Sequence, residues 1–67
     1  MRYNFKTWKP CYSTDQARAA SGRFRFRVVN PEYKGGPLCE IERRANGERT
    51  YAPAGLARLD QIEAGRF

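Results

Sequence analysis

Sixty-seven residues make room for one domain, spanning 1–67, and for a small core. The chain carries 13 Lys and Arg, mostly Arg, against 7 Asp and Glu, for a formal charge of +6, and it has no histidine. That inventory excludes a four-ligand Cys/His zinc finger within one chain and any Ser-His or Cys-His nucleophile pair.

No apolar run approaches the ~20 residues of a membrane span, and no secretory leader pattern is present. Met1 opens directly on a strand-like pattern, so the chain reads as a complete cytoplasmic frame, with Cys11 and Cys39 as reduced, buried thiols and a disulfide as the lesser reading. No metal or cofactor is implied. The charge directs attention to nucleic acid or to an acidic protein surface.

In chain order, Arg2 to Thr7 alternates polar and apolar positions and predicts a strand with Tyr3 and Phe5 inward, which Lys9-Pro10 ends. Ser13-Thr14-Asp15-Gln16 has the form of a capping box, with Ser13 as N-cap. It starts a short helix from Thr14 to Ala20, stopped by Gly22 in a left-handed conformation. Its apolar side chains are alanines only, so a structured loop over 13–21 is the alternative.

The segment Arg23-Phe24-Arg25-Phe26-Arg27-Val28 follows, with a period of two. Phe24, Phe26 and Val28 face a core, and Arg23, Arg25 and Arg27 stand ~7 Å apart along the other face. Asn30-Pro31 and Gly35-Gly36-Pro37 enclose a loop bearing Tyr33, and Leu38 to Arg44 is the next strand. If those two strands form a hairpin, one register sets Arg25 and Arg27 across from Glu40 and Glu42 and neutralises the row, and another leaves a free basic face.

Asn46-Gly47 predicts a two-residue type I′ turn with Glu48 to Ala52 returning as a strand. That register places Arg44 opposite Arg49, Glu42 opposite Tyr51 and Ile41 opposite Ala52, with Cys39, Ile41 and Ala52 on one face and Glu40, Glu42 and Tyr51 on the other. Two facing arginines repel unless an anion lies between them, so Arg43, Arg44 and Arg49 form the sharper candidate site. Pro53 is suited to open a helix whose stripe is Leu56, Leu59 and Ile62, with Gly65 as its stop and Arg66-Phe67 as a loose tail. Further core candidates are Trp8, Leu38, Ile41 and Tyr51.

These elements predict an α+β fold: a small antiparallel sheet of about four strands packed by a C-terminal helix. An SH3-like small barrel is the rival. Gly47-Glu48-Arg49-Thr50-Tyr51, followed by Leu56, Arg58, Leu59 and Asp60, resembles the end of the plasmid-encoded type II dihydrofolate reductases. The resemblance implies such a barrel. Glu48-Arg49-Thr50 stands in place of the family's Val-Gln-Ile before Tyr51, which argues against that activity. The alternating aromatics of Gly22 to Val28 also resemble the third strand of the RNA-recognition motif, though Phe24 and Phe26 fit a core better in so small a sheet.

No residue set here implies catalysis, and Glu40 with Glu42 reads as surface ion pairing. The expected function is non-enzymatic: binding of nucleic acid, or of a nucleic-acid-bound complex, through Arg23, Arg25, Arg27, Arg43, Arg44 and Arg49. Trp8, Tyr12 and Tyr33 would supply stacking. The alternative is a small phage or mobile-element protein that inhibits a host polymerase, nuclease or defence complex by occluding its surface. A homodimer completing its own core is compatible with either.

Overall fold

A computed structural model describes residues 7–67. The strand expected over 2–7, including Tyr3 and Phe5, lies outside them apart from Thr7. The elements are β1 (Lys9–Cys11), α1 (Gln16–Ser21), β2 (Gly22–Asn30), β3 (Leu38–Ala45), β4 (Ala52–Arg58) and α2 (Leu59–Glu63). The four strands form one antiparallel sheet in the order β1-β2-β3-β4. Because β1 and β4 do not pair, the described residues form an open sheet and not the rival barrel.

Lys9-Pro10 does not end a strand; it begins one. Pro10 sits opposite Arg25 on the edge strand, where half of the amides face away from the sheet and a missing donor is tolerated. The short helix α1 forms, but its cap is Asp15, whose Oδ1 accepts from the N–H groups of Ala17 at 2.9 Å and Arg18 at 3.3 Å. A carboxylate caps as well as a hydroxyl and adds a favourable charge at the helix start. Ser13 instead braces this link, accepting from the Asp15 N–H and donating to the Phe67 carbonyl. Gly22 opens β2 in an extended conformation rather than the expected left-handed one. Glycine is required there because a Cβ would overlap the Arg44 carbonyl oxygen.

The period-two reading of β2 holds. Phe24 and Val28 are buried, Phe26 packs beside them, and Cys39 and Ile41 of β3 share that face. The Asn46-Gly47 turn does not have the expected geometry. Glu48 N–H bonds to the Ala45 carbonyl, Gly47 has φ 87° and Asn46 has no positive φ, whereas type I′ needs two. With its positive φ at the second central residue the turn is not one of the primed types that match the strand twist, and the chain runs on through 46–51 before pairing resumes with Ala52 opposite Arg43. Asn46 meanwhile donates its side-chain amide to the Ala20 carbonyl at the end of α1, docking the turn on the helix.

The helix expected from Pro53 is a strand up to Arg58, and α2 is only Leu59–Glu63. Gly55 has φ 125°, outside the helical region, and pairing satisfies the edge of β3. Leu56 is therefore 64% exposed on the open face, while Ile62 is buried and Leu59 packs on the core. The stop at Gly65 is as expected: φ is 74°, Gly65 N–H bonds to Ile62 and Arg66 N–H bonds to Gln61. The last residues are not loose. Gly65 accepts from Thr14 N–H, and the Phe67 ring meets Phe24 edge-on at 5.4 Å.

The core of Cys11, Phe24, Val28, Cys39, Ile41 and Ile62 thus lies on one sheet face, under α2 and the C-terminal residues. Cys11 and Cys39 are free thiols on β1 and β3, with β2 between them and their β2 partners, Phe24 and Val28, four residues apart. Burial, and then the neighbouring Cys39, push the Cys11 thiol up to about 11, and burial followed by Glu63 raises that of Cys39.

Candidate functional site

The sheet face away from the core carries the odd-numbered arginines of β2, and the register divides them. Arg25 lies across from Glu42, with Nε and Nη2 donating to the same carboxylate oxygen at 2.9 and 2.6 Å. Arg27 lies across from Glu40 and donates through the same two nitrogens at 3.2 and 3.1 Å. Each pair contributes only ~0.2–1 kcal/mol, but each cancels a charge. Arg25 and Arg27 therefore leave the row of free cations expected from the sequence, and Glu40 and Glu42 are occupied as well.

The ladder also orders aromatic rings. The Arg25 guanidinium lies 4.3 Å from the Trp8 ring centre and 3.9 Å from that of Tyr51, and Arg27 lies 4.8 Å from Trp8. Planar guanidinium held in register by a carboxylate is a rigid partner for a ring face. Glu42, Arg25 and Tyr51 thus form a chain of contacts that fixes the Tyr51 side chain.

At the end of the sheet the charges are not cancelled. Arg23 is the cross-strand partner of Arg44. The expected pairing of Arg44 with Arg49 is not formed, because Arg49 lies in the 46–51 loop; Arg44 is instead opposed from its other edge by Arg23, a pairing set by the β2–β3 register. Arg43 follows on the other face and is exposed; Arg49 is exposed in the 46–51 loop that leaves the same end of β3. The ion pairs among the described residues are Arg25–Glu42, Arg27–Glu40 and Arg58–Asp60, so none of these four arginines has a carboxylate in reach there. Those pairs consume both signs equally, and the +6 excess falls on the remaining side chains. A like pair directly opposed opposes folding by roughly 0.2–1 kcal/mol.

The remaining candidates separate by position. Tyr12 is 79% exposed in the link between β1 and α1, close to the arginine end. Tyr33 lies in the 31–37 loop at the opposite end of the sheet and is not part of this cluster. Tyr51, a core candidate that the expected hairpin register put on the Glu40 and Glu42 face, lies at the charged site, with the Arg44 guanidinium 5.7 Å from its ring. Arg18, not singled out in the sequence, stacks on Phe24 at 5.2 Å, and its Nε is buried with no partner among the described residues. No spacing rule marks Arg18, since its contact depends on how α1 folds back.

A cavity of about 470 Å³ opens beside this cluster, lined by Cys11, Tyr12, Ser13, Ala19, Arg23 and Tyr51 among others. It exists because β1 stops at Cys11 while β2 begins at Gly22, and α1 closes the gap between them. No family model, curated protein or solved structure matches this chain.

Proposed function

We propose that this chain is a non-enzymatic binding protein that engages nucleic acid, or a nucleic-acid-bound complex, through the arginines at one end of its sheet. The observation that carries the reading is Arg23 directly opposite Arg44 with no carboxylate in reach of either among the described residues. Folding is opposed by that juxtaposition, and a bound phosphate between the two guanidiniums removes the penalty. Arg43 and Arg49 extend the positive end, and Tyr12 and Tyr51 supply rings near it, while Trp8 lies along the ladder against Arg25 and Arg27.

A second reading has its own support. The open face pairs a neutralised ladder with Trp8, Tyr51 and the exposed Leu56, and Arg, Tyr and Trp are the residue types enriched at protein hot spots. On that reading the chain occludes the surface of a host polymerase, nuclease or defence complex. Affinity capture from the source cell with and without nuclease separates the two. Under the nucleic-acid reading, bound material disappears after nuclease and labelled oligonucleotides bind the purified chain directly. One stoichiometric protein retained after nuclease, with no oligonucleotide binding, supports the second reading instead.

A further inference from the structure

We infer that the cavity between α1, the β1–α1 link and Tyr51 receives one unstacked nucleobase, so that the chain prefers single-stranded to duplex nucleic acid. This deepens the nucleic-acid reading and rests on it. The volume of about 470 Å³ falls in the range of small-ligand sites, and the cavity stands open to the surface. Its lining joins two features that single strands require together: aromatic rings for a base to lie against, and a cation for the adjoining phosphate. Tyr12 and Tyr51 are the rings and Arg23 is the cation.

Tyr51 is also set in place before any ligand arrives. The Arg25 guanidinium, clamped to Glu42 at 2.6 Å, lies 3.9 Å from its ring centre. A platform already ordered loses little entropy on binding. The ion-paired Arg25 thus acts as a positioning residue against the ring and not as a phosphate contact. Duplex bases are stacked and paired inside the helix, so they cannot enter a recess between a strand end and a helix without being extruded, which costs unstacking energy.

The test uses the full chain and fluorescence anisotropy with a single-stranded oligonucleotide and its matched duplex at one salt concentration. Ala19→Phe fills the recess from an exposed position on α1, and circular dichroism confirms that the variant folds. It is expected to weaken single-strand binding about tenfold, the scale of one lost base stack, and to leave duplex binding unchanged. In a second readout, a 2-aminopurine base in the single strand is expected to be quenched on binding to the native chain and not to Tyr51→Leu. Unchanged single-strand preference in Ala19→Phe, with salt-sensitive binding intact, overturns the cavity assignment alone. Absence of salt-sensitive binding to either oligonucleotide overturns the nucleic-acid reading and this inference with it.

Discussion

Arg23 and Arg25 stand two residues apart on the same strand face, yet their roles differ because of what lies across from them. Arg25 meets a carboxylate and becomes part of the scaffold; Arg23 meets Arg44 and remains available. Stability and binding should therefore respond in opposite directions at position 23. Arg23→Glu places an acid opposite Arg44 and is expected to raise stability by roughly 0.2–1 kcal/mol in urea titrations while weakening oligonucleotide binding. Destabilisation, or unchanged affinity, would contradict the assignment.

Cys11 gives a second residue-scale test. Its thiol titrates at about 11 in the folded chain against an ordinary value of 9.0. The unfolded chain loses its proton first, so stability is level below about pH 9 and falls as pH rises towards 11. For a shift of that size the fall attributable to Cys11 is at most on the order of 2–3 kcal/mol. Urea midpoints measured at pH 8 and pH 10.5 should drop further in the native chain than in Cys11→Ala. Equal drops would remove burial of this thiol as the cause.

Among the elements, the close contacts that shape the site are made at two glycines. At Gly22 a Cβ meets the Arg44 carbonyl, and at Gly65 it comes within 2.7 Å of Thr14 Cγ2 and 2.9 Å of the Tyr12 carbonyl. Gly65 also needs a φ of 74°. Gly65→Ala is expected to lower stability by about 1–3 kcal/mol in thermal or urea unfolding, and more than Gly47→Ala, which has strain but nothing within 4 Å. If the two variants matched, the docking of the C-terminal residues on the β1–α1 link would carry no weight.

The elements also show what the sequence could and could not convey. β2 was legible because Phe24, Phe26 and Val28 alternate with arginines, and the stop of α2 because Gly65 follows Ile62 and Glu63. β4 was not. Leu56, Leu59 and Ile62 recur every three residues and imitate a helix face, while the demand for a partner came from the edge of β3, which is a tertiary effect. Asn46-Gly47 marked a turn correctly but not its length, and register follows length. For the site, Arg43, Arg44 and Arg49 were visible as a cluster. The loss of Arg49 as a partner of Arg44 follows from the longer 46–51 loop, and the pairing of Arg23 with Arg44 from the separate β2–β3 register, so neither could be read locally.

For the whole molecule, a charge of +6 on 67 residues is not spread evenly by function. The ladder across β2 and β3 is neutral, and arginines with no ion pair among the described residues gather where β2 starts and β3 ends. Field strength there, more than total charge, is what would draw a polyanion. The most direct measurement is the slope of log affinity against log salt for an oligonucleotide, compared among Arg23→Ala, Arg44→Ala and Lys34→Ala. Each variant removes one positive charge, but Lys34 lies in the 31–37 loop at the far end of the sheet. Both arginine variants are expected to reduce the slope by ~0.7–0.9, one counterion each, while Lys34→Ala leaves it unchanged. Equal reductions in all three would mean that binding senses only net charge, and the site at the sheet end would be contradicted.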